Sequence, residues 1–588
     1  MSLCGIIGFV GQANAVPVLL DGLKRLEYRG YDSVGLAVLE GGELRVRKSV
    51  GTVEKLVSLV EQKPLQGRIG LAHTRWATHG GVVDENAHPH VSCDGSLAVV
   101  HNGIIENFGR LRRELESRGH RFRSQTDTEV VAHLLEECLQ EGMGLEEAGV
   151  KLASKLEGQY AIVALSRKHP DSLLALRRRA PLLIGVGNGE NVIASDALAF
   201  IDKTNRAIFM EDDTIAVVSR GPEIRLLTFI GRRLKPEAVE VARELSTPDK
   251  KDYEHFTLKE IHEQPEVIIR VLDQDAGALT LFRREVEGAE RVFFVASGSS
   301  YHASLVGKQL FAQGMGVYSD VILASEYKAV EEWFKEGVVV VAISQSGETA
   351  DVLAGVEAAK SKGATVLSIV NRTPSSLERY SDVSLKLNVG AEVGVAATKS
   401  MTAQMAMLYV ISRKDSNGGE MRALADAIGT VLKSDPLIYR VSEQVKERRD
   451  VYFLGRGLSY PVALEGALKL KELAYIHAEG LAAGELKHGP LALIERGTPL
   501  VLVNPPDETY EETLANGSEV KARGGSIIGV STRSDRIYDW FIKIPELRRE
   551  LYPVVSVVPL QLLAYHTARL LNADVDKPRN LAKSVTVK

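Results

Sequence analysis

The sequence predicts an N-terminal α+β sandwich of antiparallel sheets, followed by two tandem doubly wound α/β domains with parallel sheets. In residues 1–240, short apolar runs alternate with turn residues and few helical patterns intervene, which is typical of antiparallel sheets. From Arg291 onward, strand-length apolar runs alternate with helical patterns, as in the βαβ units of a parallel sheet. A chain of 588 residues is too long for one hydrophobic core, so several domains are expected.

The elements of the first domain follow from its apolar runs. Strands are predicted at 5–10, 34–39, 69–72, 97–100, 160–165 and 215–218. Two helices are predicted, near 16–26 and 128–140. The charged, proline-containing stretch 234–251 indicates a linker. We therefore expect a domain over residues 1–240 and a linker over 241–255.

The remaining sequence contains an internal repeat. Residues 291–301 align with 450–460 at a shift of 159, and residues 362–367 align with 523–528 at a shift of 161. Each copy has the order strand, Gly/Ser loop and helix, and then a further strand with its own loop and helix. Because two blocks share nearly one offset, we predict two copies of one domain, over 256–430 and 431–575, and a tail over 576–588.

The composition is that of a globular protein, with 45% hydrophobic and 25% charged residues and a net charge of −5. This balance predicts neither a nucleic-acid partner nor an anionic membrane surface. No apolar run reaches the ~18 residues of a membrane span, and the first residues lack the basic region of a signal peptide, so we expect a cytoplasmic protein. Cys4, Cys93 and Cys138 form no Cys-x-x-Cys pair, so we predict no zinc cage or disulfide framework, and no cofactor.

The loop formed by residues 344–349 is the predicted phosphate site. It follows the buried strand 337–343 and precedes a helical pattern over 350–362. Three hydroxyl groups and a helix N-terminus suit an oxyanion, and open α/β sheets bind ligands at this edge. A plain helix N-cap would explain one hydroxyl only. The sequence lacks the Gly-Lys-Ser/Thr ending of a nucleotide-binding loop.

The corresponding loop of the second copy has a different character. Residues 503–509 include two prolines, which remove N–H donors, and Asp507 adds a negative charge. We therefore expect the first copy to bind phosphate and the second to have another task. By composition alone, residues 577–588 are predicted to form a frayed basic tail.

The second copy also contains acid–base candidates. On the predicted helix 463–474, Glu465, Lys469 and Glu472 lie at i, i+4 and i+7, on one face. A solvated salt-bridged stripe and a catalytic group both fit this spacing. His488 is predicted to lie on a loop before a Gly-Pro turn, where a structural and a catalytic role remain equally open.

Several motifs resemble those of known enzymes. The segments 4–8, 29–33, 73–80, 86–90, 101–104 and 126–129 resemble the class II, N-terminal-nucleophile glutamine amidotransferases. With 344–349, 465–479, 483–490 and 576–587, nearly the whole chain resembles the family of isomerising glutamine–fructose-6-phosphate aminotransferases. The resemblance implies an N-terminal-nucleophile sandwich with two sugar-isomerase (SIS) domains. It also implies a homodimer that makes glucosamine 6-phosphate and glutamate from fructose 6-phosphate and glutamine, the first step of the hexosamine pathway.

The resemblance assigns glutaminase chemistry to the first domain. Cys4 is the implied nucleophile, and its own α-amine is the implied base once residues 1–3 have been removed. The implied oxyanion donors are Asn102 and the Gly103 N–H. The implied glutamine-binding residues are Arg75, Thr78, His79, His88 and Asp127, and the implied gate of an ammonia channel is Trp76. A metal-binding role for the His88-Pro89-His90 segment is also open, although no further ligand pattern accompanies it.

The resemblance assigns sugar chemistry to the SIS domains and the tail. The implied sugar-phosphate-binding residues are Ser300, Ser344, Gln345, Ser346, Thr349 and Val395. Lys583 would form a Schiff base with the C2 ketone and close over the sugar as a lid. Glu472 would move a proton between C1 and C2, and Lys469 would assist at a sugar hydroxyl. His488 would help to open the sugar ring, acting in the site of the other subunit.

Two other functions share part of this pattern. An amidophosphoribosyltransferase has the same glutaminase half but needs an acidic diphosphate-ribose loop, where this chain has the SIS repeat. A regulator that only senses sugar phosphates would need none of Cys4, Glu472, His488 and Lys583, and all four are present. One small departure from the family is Ser297, which stands where the family often has cysteine.

Overall fold

The structure, a computed structural model, describes residues 4–27, 30–76, 79–241, 250–413 and 418–584. These residues form two compact units, one reaching to residue 241 and the other running from residue 250 to 583. Strands of the first unit pair antiparallel and strands of the second pair parallel, which confirms the predicted fold class.

The first unit contains two antiparallel sheets and their covering helices. The strands are β1 (Gly5–Val10), β2 (Ser33–Glu40), β3 (Glu43–Val50), β4 (Ile69–Arg75), β5 (His90–Val91), β6 (Leu97–Ile105), β7 (Gly158–Ser166), β8 (Ser172–Arg178), β9 (Leu183–Val186), β10 (Asn191–Ala194), β11 (Arg206–Phe209), β12 (Thr214–Ser219), β13 (Ile224–Thr228), β14 (Arg233–Leu234) and β15 (Val239–Glu240). The helices are α1 (Ala15–Leu26), α2 (Val53–Gln62), α3 (Phe108–Ser117), α4 (Glu129–Gln140) and α5 (Leu145–Lys155).

The two sheets pack face to face in a four-layer arrangement. Their strand orders are β15-β11-β9-β10-β1-β4-β2-β3 and β14-β13-β12-β8-β7-β6-β5. Apolar side chains such as Ile6, Leu71 and Val163 form the core between them. Helices α1 and α2 cover the outer face of the first sheet, and α3, α4 and α5 cover the outer face of the second. In this helix–sheet–sheet–helix order the two sheets face each other. The neighbouring strands β1 and β4 of the first sheet therefore lie next to β6 of the second, near Cys4.

Helices α2, α3 and α5 lie where the sequence did not predict helices. The reason is visible in what they bury. Helix α3 buries only Leu111 and Leu115, and α2 buries Val53, Leu56 and Val60. Narrow apolar strips among charged residues give a weak helical pattern, whereas the predicted helices α1 and α4 bury broad faces.

The charged stretch 234–251, which indicated the linker, begins as paired strand. Within the stretch 234–251, β14 ends at Leu234 and pairs with β13, and β15 pairs with β11 at the edge of the first sheet. Short, charged strands are common at sheet edges, where they discourage further pairing. The middle of the predicted linker, residues 242–249, lies outside the described residues.

The second unit contains two parallel sheets surrounded by helices. The strands are β16 (Arg291–Ala296), β17 (Ser319–Leu323), β18 (Val338–Ser344), β19 (Thr365–Val370), β20 (Val383–Lys386), β21 (Asp450–Gly455), β22 (His477–Ala482), β23 (Pro499–Val503), β24 (Ser526–Ser531) and β25 (Trp540–Lys543). The helices are α6 (Phe256–His262), α7 (Gln264–Arg270), α8 (Ala276–Gly288), α9 (Gly298–Met315), α10 (Ala350–Ser361), α11 (Ser376–Tyr380), α12 (Lys399–Ser412), α13 (Gly418–Leu432), α14 (Asp435–Val445), α15 (Ser459–Ala474), α16 (Tyr510–Lys521) and α17 (Tyr552–Leu570).

Both parallel sheets have the same topology, which confirms the internal repeat. Their orders are β17-β16-β18-β19-β20 and β22-β21-β23-β24-β25. In such sheets, ligands bind outside the carboxyl ends of the strands where the order reverses, here between β16 and β18. Ser344 ends β18, and Ser300 follows the end of β16 on α9. Both predicted phosphate-binding segments therefore lie at this point.

One apolar core runs through the second unit and joins its two sheets. Helix α17 lies in that core and packs against α14 and α15. By length and hydropathy alone, the stretch Arg549–Leu570 could cross a membrane, but its apolar 18-residue window is completely buried within this unit. Its apolar character on all sides is what a core helix requires.

Candidate active sites

Cys4 directly precedes β1 and is buried where β1, β4 and β6 meet. The backbone N–H of Trp76, just after β4, donates a hydrogen bond to Cys4 Sγ over 3.1 Å. Asn102 of β6 donates from Nδ2 to the Cys4 carbonyl oxygen over 2.8 Å. Because β1 and β4 are antiparallel, the start of one strand adjoins the end of the other, and this places Trp76 beside Cys4.

Gly103 follows Asn102 and has a conformation that suits glycine alone. Its φ is +127°, and a Cβ built there would lie 2.0 Å from the carbonyl oxygen of Gln159. The backbone at this point can therefore approach the neighbouring strand closely. Gly103 and Cys4 both line one pocket, whose full lining is Cys4, Arg75, Trp76, His79, His88, His101, Gly103, Thr126, Asp127 and Thr128.

Two residues of opposite charge lie in this pocket. The Arg75 guanidinium donates to the carbonyl oxygens of His79 and Gly81 over 2.6 and 3.3 Å, so it also holds the adjoining loop. Burial lowers the pKa of Arg75, while Cys4 and Asp127 counteract that shift. Asp127 accepts a hydrogen bond from the Ile105 N–H over 2.8 Å. The pocket therefore offers a cation and an anion that could bind the two charged ends of an amino acid.

The structure brings together most residues that the sequence predicted for this pocket. Cys4, Arg75, Trp76, His79, His88, Gly103 and Asp127 all line it, and Asn102 bonds to the Cys4 backbone. Thr78 lies outside the described residues. His88 and His90 have adjacent rings, 4.7 Å apart, but each side chain bonds to a threonine hydroxyl.

A hydrogen-bonded chain of buried histidines at the pocket was missed by the sequence reasoning, which named only His88 among its members. His101 Nδ1 and His88 Nε2 both bond Thr128 Oγ1, over 2.8 and 3.0 Å. His88 Nδ1 lies 3.2 Å from His73 Nδ1, and His73 Nε2 lies 3.0 Å from Asn102 Oδ1. Burial lowers the pKa of His73 to about 3 and that of His88 and His101 below the ordinary value, so the rings are neutral.

Neutral rings fix the direction of these hydrogen bonds. His73 Nε2 faces two acceptors, Asn102 Oδ1 and the His101 carbonyl, so this nitrogen carries the proton. His73 Nδ1 then accepts from His88, which in turn accepts from Thr128. With Oδ1 held in this way, the Asn102 amide turns its N–H group toward Cys4. A short-range motif could not reveal this chain, because its members come from β4, β6 and the segments before β5 and α4.

The predicted phosphate loop forms a compact turn between β18 and α10. Ser344 Oγ lies 3.1 Å from Thr349 Oγ1 and accepts from the Gly347 N–H over 3.0 Å. Ser346 Oγ accepts from the N–H of residue 348 over 3.1 Å. Gly347 has φ of +66°, and a Cβ there would lie 2.3 Å from the Ser375 hydroxyl. Glycine is thus required for the loop to close, and the hydroxyl groups gather at the start of α10.

Further predicted sugar-phosphate residues surround this loop. Ser300 Oγ accepts from Gln404 Nε2 over 3.0 Å. Gln404 Oε1 is buried and has no hydrogen-bond partner among the described residues, so Gln404 is an additional candidate for ligand contact. The Gln345 carbonyl accepts from the N–H of residue 372 over 3.1 Å, and the Val395 N–H donates to the Asp576 carbonyl over 3.1 Å. Val395 is therefore tied to the C-terminal segment.

Lys583 is buried in an ion pair with Glu392. The Lys583 Nζ to Glu392 Oε2 distance is 2.5 Å, and the Lys583 side chain is 6% exposed. Glu392 also accepts from Ser400 Oγ over 2.7 Å and from the Thr398 N–H over 3.0 Å. Burial would raise the pKa of Glu392, but Lys583 and these donors overcome it and hold the pKa at about 2. Glu392 carried no signal in the sequence.

The expectation of a frayed tail is wrong for residues up to 584. Asp576 accepts from the Phe256 and Thr257 N–H groups over 3.0 and 2.8 Å, at the start of α6. The Arg579 N–H donates to the Tyr475 hydroxyl over 2.7 Å. Composition could not reveal these contacts, because the partners lie more than 100 positions away in the sequence.

Of the acid–base residues of α15, two are buried and Glu472 is only 16% exposed, so they do not form a solvated stripe. The side chains of Glu465 and Lys469 are fully buried, and Lys469 pairs with Glu465 over 3.2 Å and also with Glu472. Glu465 accepts from Ser299 and bonds His302, both on α9. Although burial acts in the opposite direction, Lys469 holds the pKa of Glu465 at about 2.

The two carboxyl groups on this face differ, because the pKa of Glu465 is lowered and that of Glu472 is raised. Burial raises the pKa of Glu472 above the ordinary value, and this outweighs the opposing effects of Lys469 and the more distant Lys583. The positive charge of Lys583 is therefore close enough to lower the pKa of Glu472. A buried carboxyl with a raised pKa is suited to proton transfer near neutral pH.

His488 lies on the surface of this chain. It is exposed at the end of a two-turn 3₁₀ helix, Ala483–His488, that follows β22. The first repeat has the same turn at Ala324–Ala329, with Ala329 in the equivalent place. The residue is therefore particular to the second copy, and its exposure leaves it accessible.

Comparison with known proteins gives one consistent result. A family model described as a glutamine amidotransferase domain matches residues 73–214, and one described as a SIS domain matches residues 285–412 and 444–571. The chain is 44% identical over 601 residues to the glutamine–fructose-6-phosphate aminotransferase (isomerizing) of Thermococcus kodakarensis, and 45% identical over 611 residues to that of a strain of Thermus thermophilus. Each alignment covers 100% of both chains.

Solved structures resemble the second unit. The C-terminal domain of glucosamine-fructose-6-phosphate aminotransferase from Francisella tularensis has a TM-score of 0.52 and 35% identity, over 56% of this chain and 100% of that one. The tagatose-6-phosphate ketose/aldose isomerase of Escherichia coli has a TM-score of 0.50 and 21% identity, over 56% of this chain and 97% of that one. The latter likeness concerns the fold alone.

Proposed function

Because the chain belongs to the family of isomerizing glutamine–fructose-6-phosphate aminotransferases, we propose that it transfers the amide nitrogen of glutamine to fructose 6-phosphate. The products are glutamate and glucosamine 6-phosphate, in the first step of the hexosamine pathway. One observation carries this proposal: a single chain holds a buried cysteine in a pocket lined by Arg75 and Asp127, and a buried lysine beside Glu392 and near Glu472.

The glutaminase reaction begins at Cys4. The thiol proton passes to the α-amine of Cys4 as Sγ attacks the amide carbon of glutamine, and the amine then gives the proton to departing ammonia. Water hydrolyses the thioester and releases glutamate. Asn102 Nδ2 and the Gly103 N–H stabilise the oxyanion, and the His73 hydrogen bond keeps the Asn102 amide in the orientation this role needs. The α-amine is available only after residues 1–3 are removed.

Charge complementarity explains how glutamine would be oriented. Arg75 binds its α-carboxylate and Asp127 its α-amine, with His79 and His88 forming the walls. The side-chain amide then points toward Cys4. Thr78 belongs to the same proposed set by its resemblance to the family.

In the sugar reaction, Ser300 and the loop 344–349 bind the phosphate of open-chain fructose 6-phosphate, with Val395 alongside. Lys583 leaves Glu392, loses a proton and adds to the C2 ketone, and water departs to give a Schiff base. Ammonia displaces the lysine from C2. Glu472 removes a proton from C1 and returns one to C2, and its raised pKa supports this role. Lys469 forms an ion pair with Glu472 and assists at a sugar hydroxyl.

We further propose a homodimer in which His488 helps to open the sugar ring in the site of the other subunit. Its exposed position supports a role outside its own chain. Ammonia released into water at neutral pH becomes ammonium, which is not a nucleophile, so we propose a closed passage gated by Trp76. A cytoplasmic location fits the two small polar substrates.

Identification of the products tests the proposed reaction. Incubation with glutamine and fructose 6-phosphate should yield glutamate and glucosamine 6-phosphate in equal amounts, as measured by NMR or mass spectrometry. A control with phosphoribosyl diphosphate in place of the sugar should yield no amino sugar. Glutamate release without an amino sugar would contradict the proposal, and binding of fructose 6-phosphate without turnover would indicate a sensor instead.

A further inference from the structure

Four metal-ligand side chains meet in the first unit, and none of them lines the Cys4 pocket. They are Cys93, in the hairpin turn between β5 and β6, His120, just after α3, and His133 and Glu136, one turn apart on α4. One ligand atom from each residue lies within 4.8 Å of the others. No short-range spacing in the sequence indicates this group, because three separate elements supply its ligands, and a zinc site was therefore not predicted.

Four of the six distances between the ligand atoms match edges of a coordination tetrahedron. Cys93 Sγ lies 3.6 Å from both His120 Nδ1 and His133 Nδ1. Glu136 Oε2 lies 3.3 Å from the same two nitrogens. With typical Zn–S, Zn–N and Zn–O bond lengths, tetrahedral geometry places S and N about 3.5–3.6 Å apart and N and O about 3.3–3.5 Å apart. We propose that Cys93, His120, His133 and Glu136 bind a zinc ion.

Surrounding groups support the ligands in the way metal sites require. His120 Nε2, the ring nitrogen away from the cluster, lies 3.3 Å from Glu137 Oε1, which fixes the ring with Nδ1 facing the other ligands. The Arg121 N–H donates to Cys93 Sγ over 3.4 Å and so helps to orient this ligand. The Cys93 and Asp94 N–H groups donate to the two oxygens of Glu136, each over 3.1 Å.

The donor set indicates zinc rather than magnesium or calcium. One sulfur and two imidazole nitrogens are soft or intermediate donors, while magnesium and calcium prefer oxygen. Four protein ligands complete the coordination, so the ion would be structural, without an open position for catalysis. His133 and Glu136 are buried and Cys93 is exposed, so an ion could enter from the Cys93 side.

The ion would join the β5–β6 hairpin to the middle of α4, whose first turn adjoins the glutamine pocket. Asp127 and Thr128 directly precede α4, and the Glu129 carboxylate holds the N–H groups of Arg123 and Ser124 over 2.8 and 2.7 Å. Zinc at His120 and His133 therefore clamps both ends of the segment that carries Asp127. Its removal should loosen this segment and lower the thermal stability of the first unit.

Metal analysis of the full-length chain tests the site directly. After purification with zinc, the parent should contain about one zinc ion per chain. Cobalt substituted for zinc should give the intense visible bands of a tetrahedral site and a thiolate-to-cobalt charge-transfer band in the near ultraviolet. Stripping the metal with a chelator should lower the melting temperature by several degrees, and added zinc should restore it.

Variants distinguish this site from other thiols and histidines. Cys93→Ser and His133→Gln should lose stoichiometric zinc, and Cys93→Ser should lose the charge-transfer band. Three control variants should keep both the zinc ion and the charge-transfer band. They are Cys138→Ser, on α4 like His133, His169→Gln elsewhere in the unit, and Cys4→Ala. A parent chain with no stoichiometric zinc and no zinc-dependent melting shift would overturn the proposal. So would a cobalt charge-transfer band that persists in Cys93→Ser.

Discussion

Cys4 is the residue whose loss should separate the two activities. Cys4→Ala removes the nucleophile but leaves Lys583 and Thr349 unchanged, since these belong to the other unit. We expect glutaminase activity to fall roughly a thousandfold or more, while ammonia-dependent synthesis of glucosamine 6-phosphate stays near the parent level. The two rates are measured as glutamate release and as amino-sugar formation with ammonium. Cys138→Ala is the matched control, and loss of both activities in a folded Cys4→Ala chain would contradict two separate sites.

Lys583 should be indispensable for a different reason. Lys583→Arg can keep the ion pair with Glu392, but arginine stays protonated and cannot form a Schiff base. We expect turnover to be lost while fructose 6-phosphate still binds. Borohydride reduction with fructose 6-phosphate should trap an adduct on Lys583 of the parent and of the control Lys577→Arg, and none in Lys583→Arg. An adduct mapped to Lys469 or Lys487 would show that another lysine carries the reaction.

Glu260 predicts a pH dependence of stability. It is fully buried near Glu392, and burial raises its pKa from 4.5 to about 8. Between these values the folded chain keeps a proton that the unfolded chain releases, so this group makes the free energy of unfolding fall as pH rises from about 4.5 to 8. Glu260→Gln keeps a neutral acceptor for the Val393 N–H and should flatten that fall.

Scanning calorimetry of the full chain from pH 5 to 8, following the unfolding transition of the second unit, measures this effect. The melting temperature of Glu260→Gln should decrease less with pH than that of the parent. Glu266→Gln, exposed on the neighbouring helix α7, should follow the parent. Parallel curves for the parent and Glu260→Gln would mean that Glu260 is already ionised at neutral pH. The pKa of Glu392, held at about 2, gives the opposite trend only below pH 4.5 and does not interfere.

Among the elements, the turn before α10 should determine sugar affinity. Thr349→Ala removes one hydroxyl donor and the contact with Ser344, but leaves the helix N-terminus and the other serines. A hydrogen bond to a charged group contributes about 1.5–3 kcal/mol, so the Kd for fructose 6-phosphate should rise roughly ten- to a hundredfold. Calorimetric titration measures it, with Ser361→Ala at the far end of α10 as control. An unchanged Kd would place the phosphate elsewhere.

Helix α15 shows what an element's sequence can and cannot predict. Its helical character and the shared face of Glu465, Lys469 and Glu472 follow from spacing alone. Whether that face meets water depends on α9, whose Ser299 and His302 bond Glu465 from more than 150 positions away. The contacts of the C-terminal tail could not be predicted for the same reason, because its partners Glu392 and Tyr475 are remote in the sequence.

For the whole molecule, the repeat was the most informative signal. Two aligned blocks predicted two domains of one topology, and the structure has the same strand order in both. Their loops differ: hydroxyl groups follow β18, whereas prolines and Asp507 follow β23. Specific motifs likewise predicted the residues of the Cys4 pocket. The supporting residues His73, Glu392 and Gln404 were not predicted, because only folding brings them beside the residues they hold.

Nitrogen transfer from glutamine to the sugar is the central property of the proposed enzyme, and isotope competition measures it directly. The processed chain, beginning at Cys4, is supplied with fructose 6-phosphate, glutamine labelled with ¹⁵N at the amide and excess unlabelled ammonium. Because ammonia would travel from Cys4 to Lys583 without entering bulk water, nearly all glucosamine 6-phosphate should carry ¹⁵N. Product whose ¹⁵N fraction equals that of the bulk ammonium pool, or no amino sugar at all, would contradict coupled transfer within this chain.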